Sequence, residues 1–133
     1  MQRKLARENA FMLIFESVCK SDEVAEEIFI KATEVRGLEY DDYVKTVFFG
    51  SYEHKAEIDE EIEKHLQGWK KTRISPVSMA ILRLAAYEML YISDIPAKVS
   101  INEAIDLAKK YDDEKSYSFV NGVLNALSKD LAE

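Results

Sequence analysis

Glycine and proline are scarce in this chain, with four and two residues respectively among 133. The glycines stand at 37, 50, 68 and 122, too scattered to build a phosphate-cradling loop. Neither a Gly-x-Ser-x-Gly nucleophile turn nor a His-Glu-x-x-His metal motif is present, so the common hydrolase chemistries have no support. The single cysteine, Cys19, has no partner for an internal disulfide and no Cys-x-x-Cys spacing; it reads as a small apolar filler in a reducing, cytoplasmic setting. No stretch approaches the roughly 18 uncharged apolar residues that span a bilayer. The first basic residues are followed by Glu8 and Asn9 rather than an apolar run, so no signal peptide is expected either.

What is present fits a soluble helical protein. Hydrophobic residues make up 47% and charged residues 32% of the chain, enough for one domain with its own core. The net charge of −7 argues against a nucleic-acid partner only if charge is spread evenly, and it is not. Acids cluster at Asp22–Glu27 and again between Glu53 and Glu63. Cations cluster at Arg3, Lys4 and Arg7 and at Lys70, Lys71 and Arg73. Local basic patches therefore survive on an acidic protein.

The most informative stretch is Ser75 to Leu90. Almost every position from Val77 onward is apolar, so this helix should be covered on most sides. Ser75 suits the N-cap and Pro76 the first helical position. Arg83 and Glu88 interrupt the apolar run, and each needs either a buried partner or a route to the surface. Before it, helical periodicity predicts a first amphipathic helix over about 3–20, built on Leu5, Ala6, Ala10, Leu13, Ile14 and Val18. Arg3, Lys4 and Arg7 project together from its first two turns, as an ordinary solvated end or as a contact for a polyanion. A second helix is expected from a Ser21 cap to about Val35. A long third one is expected from about 40 to Gly68, bent or closely packed at Gly50.

The connection Gly68-Trp69-Lys70-Lys71-Thr72-Arg73 places a tryptophan among three cations. Its ring can stack on bases while the cations hold phosphates, or it folds onto the core and leaves the cations solvated. After Pro96, the spacing of Ser100 and Glu103 predicts a capping box at the start of the next helix. Tyr111-Asp112-Asp113 reads as a turn. The last helix carries Phe119, Val120, Val123, Leu124 and Leu127, with Gly122 inside it at a cost of about 1 kcal/mol relative to alanine, which suggests close packing or a ligand's approach. His54 and His65 are not at ligand spacing, and Glu61 with His65 makes an incomplete metal site, so no metal or other cofactor is expected.

Four blocks then point to a family. They are Ile81-Leu82-Arg83-Leu84-Ala85-Ala86-Tyr87-Glu88, Asp94-Ile95-Pro96, the Val99 to Lys109 segment containing Ile101-Asn102-Glu103-Ala104, and Phe119-Val120-Asn121-Gly122-Val123-Leu124. In order and spacing they closely resemble the NusB family of transcription antitermination factors. The resemblance implies an all-α fold of about six to seven helices in two packed helical subdomains, about 1–68 and 74–133, and a non-catalytic role without cofactors. It implies an RNA-binding factor that joins the ribosomal protein NusE on the boxA element of nascent ribosomal transcripts. With RNA polymerase and other Nus factors, that pair supports reading through terminators.

Carried over by position, Arg3, Lys4 and Arg7 match the family's basic first helix, and Phe119 lies in the motif associated with RNA. Lys115 and Ser116 precede it on the same edge. The protein partner is expected around Ser78, Met79 and Tyr87 on the central helix, where Arg83 and Glu88 face either that partner or the core. Three cations make a thin basic arm, which implies weak, salt-sensitive RNA binding that a basic partner reinforces. Two other readings remain at this stage. One is an accessory domain like the N-terminal part of certain RNA cytosine methyltransferases, although the chain lacks their Gly-rich cofactor domain. The other is a homodimer or larger scaffold that buries its basic faces.

Overall fold

The computed structural model describes residues 1–132, and among these seven α-helices and no strands are found. They are α1 (Arg3–Cys19), α2 (Ala25–Ile30), α3 (Asp42–Glu53), α4 (Lys55–Lys64), α5 (Pro76–Tyr91), α6 (Ala97–Tyr111) and α7 (Glu114–Ala132). None is long and apolar enough to cross a membrane. Helix α5 is the centre: it packs against α1, α3, α4, α6 and α7. Its start follows local chemistry, since the Ser75 hydroxyl accepts from the Ser78 amide (3.0 Å) and Pro76 fills the first turn. From Ala80 to Glu88 only Arg83 is not buried, the outcome expected for a helix that is apolar all round.

The two charges on α5 both turn out to be anchors. Arg83 forms a two-pronged ion pair with Asp59 of α4, through Nε and Nη2 at 2.8 Å each. Glu88 is 1% exposed and lies at the middle of a buried network. One of its oxygens accepts from Arg7 Nε (2.9 Å) and from the Tyr43 hydroxyl; the other accepts from the Ser100 hydroxyl (2.7 Å). Four helices, α1, α3, α5 and α6, are thus tied at one carboxylate. Glu88 is accordingly core and not part of a partner-facing surface.

The same network corrects two further expectations. Arg7 does not project with Arg3 and Lys4, because its side chain turns inward to the buried Glu88 carboxylate. Ser100 does not cap α6, which begins three residues earlier after Pro96; it sits inside the first turn, drawn to the second oxygen of Glu88. A buried carboxylate needs all its acceptor sites engaged, and that need outweighs the modest energy of a cap. Glu103, freed from capping, meets Lys4 (3.5 Å) and Arg7 (3.9 Å).

Burial, together with the charge of Glu88 beside it, raises the ionisation of the Tyr43 phenol far above the usual tyrosine value. The folded state therefore holds this proton above pH 10, where the unfolded chain has lost it. With more protons bound in the native state, stability falls as pH rises. Denaturation midpoints are expected to be flat just below pH 10 and to drop above it, and Tyr43→Phe is expected to flatten that drop.

Other boundaries also moved. The second helix starts at Ala25, not at Ser21, and its last turn, Lys31–Val35, widens into π geometry before Gly37 adopts a left-handed conformation. The long third helix is two, α3 and α4, broken at His54 rather than Gly50. His54 stacks on Tyr91 of α5 (4.4 Å between centroids), and Tyr91 donates to Glu57 of α4 (2.6 Å). Gly50 stays helical and serves as a contact point, because the ring of Tyr87 lies against its backbone.

Candidate nucleic-acid interface

Two stretches, one singled out by composition and the other by the family resemblance, come together at the N-terminal end of α5. The connection after α4, which makes a short 3-10 turn at Lys71–Arg73, forms one wall of a groove; the start of α7 forms the other. Trp69, Lys70 and Arg73 line it on one side and Lys115, Ser116 and Phe119 on the other. Trp69 is half exposed, with its ring 5.0 Å from that of Phe119 and tilted by 57°. Phe119 itself is buried and backs the tryptophan. A half-exposed indole in contact with Phe119 thus stands beside three cations.

The start of α7 is fixed locally. Asp113 accepts from the Ser116 amide (2.9 Å) as the N-cap, and this bond holds its carboxyl below the usual range. Asp112 accepts from the Ser75 hydroxyl (3.0 Å), so the two walls are joined at their base. The cavity is about 150 Å³. A site for a whole small molecule takes about 300–1,000 Å³, so this one suits a single flat group of a larger ligand. Aromatic face, cations and small volume together can stack one base and neutralise the phosphates beside it.

The remaining sequence-derived residues are placed elsewhere. Lys71 pairs with Glu63 of α4 and leaves the groove. Arg3 stacks on the Tyr43 ring (4.2 Å), and Lys4 lies between Glu103 and Asp106 at 3.5 Å from each. These two mark the other end of α5: at about 1.5 Å per residue, Ser75 and Glu88 are about 19 Å apart. The basic first helix and the Trp69 groove are thus separate surfaces. Of the residues expected to face a protein partner, Ser78, Tyr87 and Glu88 are buried by the chain itself, while Met79 and Arg83 are partly exposed. Ser78 lines the floor of the groove. The Glu61–His65 pair gains Asp130 of α7 as a neighbour. His65 Nδ1 donates to the Glu61 carbonyl (2.8 Å) and Nε2 faces Asp130 (3.3 Å), bridging α4 to α7.

Fold and groove define a class, a small all-helical domain with the makings of a nucleic-acid binder. The comparisons narrow it. The model described as the NusB family matches residues 4–129, and the chain belongs to the NusB family. It is 45% identical over 131 residues to the transcription antitermination protein NusB of Bacillus licheniformis, covering 98% of this chain and 99% of that one. It is 44% identical over 133 residues to the protein of the same description from Bacillus subtilis, covering 100% and 99%. Among solved structures, NusB in a crystal structure of antitermination factors NusB and NusE with dsRNA superposes with a TM-score of 0.84 at 34% identity, over 96% of both chains. A T. maritima NusB structure also gives 0.84, at 35% identity, over 98% of this chain and 92% of that one.

Proposed function

We propose that this chain, as a transcription antitermination protein of the NusB family, works by binding RNA together with the ribosomal protein NusE, and that the Trp69 groove holds an unpaired base of the boxA element. The half-exposed indole of Trp69, in contact with Phe119 and sharing its groove with Lys70, Arg73 and Lys115, carries this reading. RNA polymerase and the other Nus factors complete the assembly on nascent ribosomal transcripts. The role is one of binding rather than catalysis, in keeping with buried ionisable groups, Arg7 and Glu88, that hold each other in the core.

Base stacking on an aromatic ring contributes about 1–3 kcal/mol per base. Trp69→Ala is therefore expected to weaken binding of boxA RNA by about tenfold, the equivalent of about 1.4 kcal/mol. Anisotropy titrations against boxA and scrambled RNA, with and without NusE and at two salt concentrations, test this. Lys70→Gln should lower affinity for both RNAs alike and flatten the salt dependence by about one ion. Equal affinity of Trp69→Ala and the unmodified protein in all conditions would overturn the reading.

A further inference from the structure

Gly122 is not explained by the protein's own packing. It sits in the interior of α7, where glycine is unfavourable, yet a Cβ at this position would meet only the Gln67 Oε1 atom, at 3.3 Å. That atom is the tip of a flexible side chain. Among the described residues no other atom lies within 4 Å of that Cβ outside α7's own backbone and the chain neighbours.

The surface around Gly122 continues the groove already described. Beyond Trp69 the trough runs past Gln67 and Gly68. It then opens into a cleft of about 480 Å³ floored by Gly122 and Ala126 and edged by Gln67, Asn125 and Lys129. Lys115, Phe119, Gly122, Ala126 and Lys129 follow one another at intervals of four and three, so they form one face of α7. From Lys115 to Lys129 that face is about 21 Å long. The cations Lys115 and Lys129 stand at its two ends, with Lys70 and Arg73 along the facing wall. Of the acids here, Asp130 lines the cleft together with His65, whose ring it faces (3.3 Å), and Glu61 pairs with Lys64 (3.0 Å). The Asn125 amide nitrogen donates to Asn121 at both its backbone and side-chain oxygens (2.8 and 2.7 Å), which fixes the orientation of the amide at the edge of the cleft.

We propose that an RNA strand seated on Trp69 continues along α7 over Gly122 and Ala126 to Lys129, and that this second stretch takes unpaired nucleotides adjoining boxA. The proposal rests on the reading of the Trp69 groove as a base site. Small residues on the floor let the backbone of the strand approach the helix. Amides at the edge offer donors and acceptors to base edges, and a cation at each end holds phosphates. Side-chain amides and an aromatic face read bases that are unpaired, so the ligand is a single strand.

The test compares two fluorescent single-stranded RNAs, boxA alone and boxA extended on either side, against Gly122→Leu, Lys129→Gln and Trp69→Ala. Gly122→Leu is expected to bind the extended RNA about tenfold more weakly without a lower melting temperature. Lys129→Gln is expected to reduce the salt slope for the extended RNA by about one ion. Neither should change binding of boxA alone. If both variants bind the extended RNA as the unmodified protein does while Trp69→Ala still binds weakly, the extension is wrong and the base site stands. If Trp69→Ala is also unimpaired, the base site fails and the extension with it. Loss of NusE capture by Gly122→Leu with RNA binding intact would assign the cleft to the protein partner. Equal binding of a duplex of the same sequence would overturn the single-strand claim.

Discussion

Replacing Glu88 with alanine is expected to cost about 3–5 kcal/mol of folding stability, the usual loss when one partner of a buried ion pair is removed. Arg7 is 5% exposed, so its guanidinium would be left in the core with only the more distant Glu103 (3.9 Å) as counter-charge, and the hydroxyls of Tyr43 and Ser100 would lose their acceptor. A domain stable by about 5–15 kcal/mol would lose a large part of its margin. Urea denaturation reads this as a fall in midpoint with little change in slope. The double variant Arg7→Met/Glu88→Met should be less damaged than Glu88→Ala alone, since it leaves no unpaired charge. A loss below about 1 kcal/mol for Glu88→Ala would show that the network contributes little.

The second large effect is expected at Gly50. A Cβ there would clash with the Tyr87 ring, meeting Cε1 at 2.5 Å and Cζ and the hydroxyl more closely still. Overpacking of this kind costs about 1–3 kcal/mol and sometimes more, and Gly50→Ala belongs at the upper end because the ring is itself buried against α3. On propensity alone the substitution would stabilise a helix by about 1 kcal/mol, so even the sign separates the two effects. Tyr87→Phe should not rescue Gly50→Ala, as the ring carbons clash along with the hydroxyl, whereas Tyr87→Ala should recover part of the loss. Thermal melts of the four proteins form the cycle that measures this coupling. A Gly50→Ala variant more stable than the parent would refute the close approach.

How far these features were legible in the sequence depended on the span of the interaction. The cap at Ser75, the proline at Pro76 and the buried character of α5 are local, and periodicity with capping rules locates them. Asp41, expected near the start of the third helix, does cap α3, accepting from the Val44 amide at 3.0 Å. Arg7 and Glu88 lie 81 positions apart, and no spacing rule connects them. Arg7 therefore looked like a solvent-facing cation and Ser100 like a cap. The break at His54 escaped for the same reason, since Tyr91 supplies the stacking partner from a distant helix. In the groove, composition marked Trp69 and the family resemblance marked Phe119. That the two rings touch follows only from the packing of the connection before α5 against α7.

The hydrogen bond from Ser75 to Asp112 links this groove to the dynamics of the fold. The Ser75 hydroxyl both caps α5 and donates to the turn between α6 and α7, so the first turn of α5 cannot fray without releasing that corner. Local openings of the two walls become one event with one free energy, a shared cooperative unit rather than two independent loops. In native-state hydrogen exchange the amides of Ser78 and Ser116 should therefore open together, and Ser75→Ala should accelerate both, although only Ser78 touches the substituted side chain.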